Sequence, residues 1–181
     1  MNTIPSVTEM LRLSVPFAAL PDALLERIST LGRRAHYRDR EAIYDAGSAA
    51  EHIYVVLAGN VEHSFDPGRA VAKELVKIVG PAAVFGWGAL LKAPFGNEPP
   101  IRLAKTTSLG ESEVLIIDAG QLMEALDKEP GAKEAVLSRF ASMVRHLYGF
   151  AGFVKVRDQF VPAHIPATDP GTSHDYDTFA F

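Results

Sequence analysis

The stretch AIYDAGSAAEHIYVVLAGNV, residues 42–61, holds two brief apolar runs, AIY and HIYVVL, each followed by a glycine, at Gly47 and Gly59. β-Branched and aromatic residues in such runs favour extended backbone, and glycine between them favours turns. The rhythm continues downstream. NVEHSF, KELVKIV, RLAKTTS and EVLIID follow, with Pro67 and Gly68, Gly80 and Pro81, and Gly110 as further punctuation, so residues 33–118 read as short antiparallel strands. Many short strands protect their edges by rolling or closing the sheet. The expected fold is α+β, mainly β: a double-stranded, jelly-roll-like β-roll with a short N-terminal helix and a short plus a long C-terminal helix.

Helical periodicity flanks the strands on both sides. LPDALLERISTLG places Leu24, Leu25, Ile28 and Leu31 on one face, with Pro21 and Asp22 suited to the first turn and Gly32 to the stop. Asp118 and Gln121 have capping-box spacing and open a short helix whose Leu122, Ala125 and Leu126 face inward. Pro130 suits the first turn of a longer helix. That helix carries Val136, Phe140, Met143 and Leu147 on one stripe and Leu137, Ala141, Val144 and Tyr148 on the next. So broad a face covers more than one contact requires, so a homodimer or a protein partner on the long helix is expected. Beyond Val156 the chain is rich in proline and small polar residues without periodicity. Residues 1–155 are therefore expected to form one domain, and 156–181 a flexible or surface-draped tail.

Composition narrows the function classes. The 181 residues are 48% hydrophobic, enough for one well-filled core, and the net charge of −4 comes with basic residues scattered rather than striped. Direct nucleic-acid binding is not expected. Cysteine is absent, which removes disulfides, thiol nucleophiles and cysteine-held zinc together. No basic-then-apolar leader opens the chain, and no apolar run nears the roughly 20 residues that span a bilayer, so a cytoplasmic protein without a membrane anchor is expected.

The order of elements and several local patterns resemble the cyclic nucleotide-binding domains of the catabolite activator protein and its relatives. PFAALPDALLERI resembles that family's first helix, AIYDAGSAAEHIYVVLAGNV its strand, glycine turn and strand, VGPAAVFGWGALL the opening of its phosphate-binding cassette, and SEVLIID the strand that closes the roll. The likeness spans roughly residues 10–150. It implies a regulatory, non-enzymatic domain that binds cyclic AMP or cyclic GMP, with Phe85, Gly86, Trp87, Gly88, Ala89, Leu90, Arg102, Leu103 and Ala104 at the ligand. It also implies that Phe140, Val144, Leu147 and Tyr148 of the long helix act as a lid. In such a cassette, glycines bring backbone N–H groups to a phosphate and an arginine meets it with forked donors. Aligning back from EVLIID puts Arg102 at the family arginine.

Three departures accompany the likeness. Trp87 stands where the family has a glutamate that accepts the ribose hydroxyl, and an indole is a donor only. An unpaired hydroxyl costs about 1 to 3 kcal/mol, roughly ten- to hundredfold in affinity. The segment KAPFGNEPPI, residues 92–101, lengthens the approach to Arg102, and Glu98 within it is the one local carboxylate that stands to replace the lost one. Arg40 and Ala82 occupy positions where the family tends to have glycine. The alternative to a sensor is a ligand-free structural or interaction module that dimerises through the long helix, with Trp87 filling the vacated pocket.

Two enzymatic alternatives are weaker. A metal-holding roll wants a His-x-His pair and a carboxylate on one strand face, and His36, His52 and His63 lack that spacing. No Gly-x-Ser-x-Gly elbow is present for a serine hydrolase. Neither a metal nor a resident cofactor is expected.

Overall fold

In the computed structural model, which describes residues 5–65, 75–90, 100–102, 104–148, 153–156 and 159–162, two long strands carry the sheet. The third strand of the chain, β3 (His52–Phe65), pairs antiparallel with β6 (Lys105–Asp118) over nearly its whole length, from His52 opposite Asp118 to Ser64 opposite Lys105. Gly59 and Gly110, read as strand ends, lie inside these strands. The register slips on either side of Ala58, so the ladder bulges and bends where the sequence suggests a break.

Shorter strands complete the sheet: β1 (Arg33–Tyr37) and β2 (Ala42–Tyr44) pair with β6, while β4 (Leu75–Val79) and β5 (Val84–Phe85) pair with β3. All these pairings are antiparallel, and the path β1–β6–β3–β4 has two ends, so the sheet is rolled rather than closed. Mixed α+β architecture with an antiparallel roll is as expected.

Alternation along β3 and β6 explains why HIYVVL and EVLIID look uniformly apolar. Successive strand residues point to opposite faces, and here both faces are covered. Ile53, Val55, Leu115 and Ile117 enter a helix-side cluster with Phe17, Leu25, Ile28, Leu122, Val136 and Phe140. Tyr54, Val56, Val114 and Ile116 enter an inner cluster with Val61, Val79, Ala83 and Phe85.

Among the described residues, four α-helices supply the outer layer. α1 (Val7–Leu13) begins at a full capping box: Ser6 Oγ accepts from the Glu9 amide at 3.2 Å, and the Glu9 carboxylate accepts from the Ser6 amide at 2.6 Å. α2 (Asp22–Leu31) starts after Pro21 and stops at Gly32, with Leu24, Leu25 and Ile28 buried. α3 (Ala119–Asp127) is capped by Asp118, whose Oδ1 accepts from the Gln121 amide at 2.8 Å. α4 (Ala132–Tyr148) begins two residues after Pro130, which sits in the preceding turn with Gly131 instead of in the helix.

The ribbon of β7 (Phe153–Val156) and β8 (Gln159–Pro162) straddles the boundary expected at 155/156, since FVKV and QFV carry enough β-branched and aromatic character to pair. The rest of the expected tail, and nearly all of the 92–101 segment, lie outside the described residues.

Arg40 and Ala82, noted above as non-glycine at glycine positions, take φ of 61° and 66°. That is the left-handed region, where a Cβ costs about 1 to 2 kcal/mol.

Candidate ligand-binding site

Residues 100–102 run beside the turn between β2 and β3. Ala49 bridges Ile101, the Arg102 amide donates to the Ser48 carbonyl at 2.8 Å, and the Gly47 amide donates to the Arg102 carbonyl at 2.8 Å. This backbone clamp sends the Arg102 side chain inward, where it is 5% exposed. Its Nη1 donates to the Gly86 carbonyl at 2.8 Å and its Nη2 to the His52 carbonyl at 2.7 Å. The guanidinium carbon lies 4.5 Å from the centre of the Tyr44 ring and 5.2 Å from that of Tyr54. Arginine suits such a place because a weakly hydrated planar cation rests on aromatic faces.

Gly86 is shaped by this contact. Its φ is +77°, and a Cβ placed on it would lie 2.7 Å from Arg102 Nη1, 2.7 Å from Tyr54 Cδ2 and 3.0 Å from the His52 carbonyl oxygen. Only glycine lets the cassette backbone come this close to the arginine.

An aromatic group surrounds the pair. Phe85 stacks on Tyr54 with centroids 5.0 Å apart and planes 11° apart, Tyr44 lies 5.4 Å from Tyr54, and His63 meets Phe85 edge-on at 5.0 Å. Burial lifts the Tyr44 phenol to about 12, with the Thr106 hydrogen bond and the Arg102 charge pulling the other way. Tyr54 is raised for the same first reason, again opposed by Arg102. Both phenols therefore stay neutral donors at ordinary pH.

The charge balance at Arg102 is unusual. Among the described residues no carboxylate pairs with it, and its buried Nε meets no hydrogen-bond acceptor. Buried cations are normally paired, because desolvation costs several kcal/mol per ion. Carbonyl dipoles and ring faces offset part of that cost and leave a donor edge for an anion.

The other expected site residues divide. Phe85, Gly86 and Arg102 come together as described. Trp87 opens the short 3-10 helix Trp87–Leu90 and turns away, its indole 8% exposed within the helix-side cluster, where Ala89 and Leu90 also pack. It therefore neither lines the aromatic nook nor fills it. Gly88 is half-buried and Ala104 buried, while Leu103 and Glu98 lie outside the described residues. Of the expected lid, Phe140 packs edge-on against Phe17, centroids 6.4 Å apart, in the helix-side cluster and not in the inner one. Arg139 beside it donates to the Val15 carbonyl at 3.0 Å. The side chains of Val144, Leu147 and Tyr148 are outside the described set.

Tyr44, Tyr54, Thr106 and His63 form the rest of the nook and are not among the ligand-site residues expected from sequence. The signal available is strand alternation: Tyr54 shares a face with Val56, opposite Ile53 and Val55. Among the described residues no three potential ligating groups converge on a metal position. His36 stands exposed beside Glu113 at 3.9 Å, whereas His63 is enclosed against Thr106. A separate open groove of about 990 Å³ runs past His36–Glu41, Ala58 and Glu111–Glu113, with no cassette residue in its lining.

Comparison with known proteins assigns the chain to a family. The model of the family described as "Cyclic nucleotide-binding domain" matches residues 34–129, more than half the chain, and the chain belongs to that family. No curated protein matches it significantly. Among solved structures, the N-terminal domain of a transcriptional regulator from Streptomyces coelicolor A3(2) is similar over 76% of this chain and 93% of that one, at 25% identity and a TM-score of 0.61. The catabolite activator protein of Thermus thermophilus shares the fold, with a TM-score of 0.62 at 19% identity, over 74% of this chain and 59% of that one. So does the regulatory domain of Toxoplasma gondii PKA with cAMP, with a TM-score of 0.58 at 22% identity, over 78% of this chain and 50% of that one. The chain spans 59% and 50% of the length of these last two. It is a cyclic nucleotide-binding-like domain.

Proposed function

We propose that this domain is a non-catalytic ligand sensor that takes a small anion of the cyclic nucleotide class at Arg102 and signals through the cassette and the C-terminal helices. The observation that carries this reading is the buried Arg102 guanidinium, held by two carbonyls and two tyrosine faces, without a carboxylate partner among the described residues and with its Nε unmet. An anion arriving there would gain charge-assisted hydrogen bonds in a water-poor site. Gly86 would respond first, and Trp87, its neighbour in the chain, would carry the displacement into the cluster that holds Phe140.

The test is titration of cyclic AMP and cyclic GMP followed by Trp87 emission and by melting temperature. Ligand at a hundred times its dissociation constant should stabilise the fold by about 2.7 kcal/mol. Arg102→Ala should abolish both responses. A flat emission and an unmoved melt at millimolar nucleotide would refute the sensor reading.

A second reading has one observation in its favour: Tyr44, Tyr54, Phe85 and Arg102 pack against one another as a contact-rich interior. On it, the domain is a structural or interaction module that dimerises through α4. Sedimentation distinguishes the two, since that reading requires a dimer insensitive to nucleotide.

A further inference from the structure

Two buried polar groups in the roll have no part in the reading above, the His63 imidazole and the Thr106 hydroxyl, 2% and 0% exposed. They face each other across β3 and β6, with His63 Nδ1 2.7 Å from Thr106 Oγ1. Thr106 is also the cross-strand partner of Tyr44, with the two hydroxyls on neighbouring strands, and the Tyr44 ring carries the Arg102 guanidinium at 4.5 Å. A polar chain thus runs from His63 through Thr106 and Tyr44 to the arginine. An aromatic path runs beside it, from His63 to Phe85 to Tyr54, the second ring against the guanidinium.

An imidazole and a hydroxyl inside an apolar cluster are costly to bury, and leucine and valine would occupy the space at less cost. Their joint presence calls for something that they hold. Paired with Thr106 across β2 and β6, and with its ring 5.4 Å from Tyr54 and 6.1 Å from Phe85, Tyr44 is kept over the guanidinium face. The Gly86 and His52 carbonyls fix two of the five donors and the Tyr54 hydroxyl lies within reach of the guanidinium, so a stationary ring leaves the unmet Nε–H pointing one way. Held donors bind an anion better than donors that must first be ordered.

We propose that His63, acting through Thr106 and Tyr44, is a positioning residue that fixes the Arg102 guanidinium for anion binding. This rests on the reading of Arg102 as the anion-binding group. The bond between His63 and Thr106 runs in either direction: Thr106 donates to an unprotonated Nδ1, or Nδ1–H donates to Thr106. An asparagine at position 63 supplies an amide that serves in both senses, whereas leucine supplies neither.

The experiment compares the wild type, His63→Leu, His63→Asn and Thr106→Val, the last removing the central hydroxyl with little change of shape. One arm follows the Arg102 Nε–H signal by isotope-edited NMR without ligand; the other titrates cyclic AMP. The expected result is a shifted, broadened and faster-exchanging Nε–H signal in His63→Leu and Thr106→Val, with cyclic AMP binding weakened about tenfold, and a wild-type-like signal with binding within about threefold in His63→Asn. An unchanged signal in His63→Leu and Thr106→Val, or His63→Asn as impaired as His63→Leu, overturns the positioning role. If the signal responds as expected while cyclic AMP fails to bind even the wild type, the positioning chain stands and the sensor reading falls.

Discussion

Gly86→Ala probes the site most directly, because three separately estimable effects meet at one methyl group. The first is conformational: φ of +77° costs alanine about 1 to 2 kcal/mol. The second is contact, since the new Cβ would stand 2.7 Å from both Arg102 Nη1 and Tyr54 Cδ2, and the tyrosine is fixed by its stack on Phe85. The third follows from the second: the arginine must give way, which strains or breaks its 2.8 Å bond to the Gly86 carbonyl. Loss of a charge-assisted bond of this kind is worth about 1.5 to 3 kcal/mol. Together the expected destabilisation is about 3 to 5 kcal/mol, or about 6 to 20 °C in melting temperature for a domain of this size.

Two other glycines separate the terms. Gly47 has φ of +81°, and a methyl group added there would meet nothing within 4 Å, so Gly47→Ala isolates the conformational cost. It should lose about 1 to 2 kcal/mol. Gly88 has neither a positive φ nor a neighbour within 4 Å of an added methyl, so Gly88→Ala should be neutral or slightly stabilising, as alanine favours a helical turn. Thermal and urea unfolding of the three variants give the comparison. If Gly86→Ala melts no lower than Gly47→Ala, Arg102 does not occupy the position described, and the site built on it is wrong.

Further outcomes follow from the same geometry. Arg102→Ala should lower the stability of the ligand-free protein by about 2 kcal/mol, because two charge-assisted hydrogen bonds to backbone carbonyls are lost; an unchanged urea midpoint would place the side chain outside the nook. Arg40→Gly should raise stability by about 1 kcal/mol by relieving φ of 61°, with little lost from the exposed pair to Glu62, and differential scanning calorimetry would read it. Tyr44 holds its proton up to about 12 in the folded protein, against 10.0 ordinarily, so the folded state binds the proton more tightly. Its contribution to stability is full below pH 10 and is lost as pH rises from there toward 12; urea midpoints at about pH 8 and about pH 11 should therefore differ, the latter lower.

What the sequence makes legible, and what it hides, divides along the line between local and non-local causes. The α2 stop at Gly32 and the Asp118 cap depend on residues a few positions apart, and spacing alone reveals them. The Ser6-to-Glu9 capping box of α1 is just as local, yet α1 is a helix beyond the single N-terminal one expected from sequence. Gly59 and Gly110 are ambiguous in principle, since a strand end and a bulge ask the same thing of a glycine. Arg102 is located by counting back from EVLIID, because the ladder of β6 preserves that count. The tyrosines are hidden for a different reason: Tyr44 on β2 and Tyr54 on β3 pair with β6 at positions far apart along it, and they meet only in the rolled sheet, which no spacing records.

Trp87 shows the limit most sharply. Counting assigns it a slot along the cassette, but the backbone turns between positions 86 and 87, so neighbours in sequence serve different clusters. Gly86 is gripped from inside the roll by Arg102, while the indole after it belongs to the helix-side cluster that also holds Phe17, Leu122 and Val136. A displacement of this dipeptide is therefore resisted by both clusters at once, and it transmits between them only if both yield. Sequence order finds the dipeptide; only the three-dimensional turn reveals that it is the short covalent link between the aromatic nook and the helices.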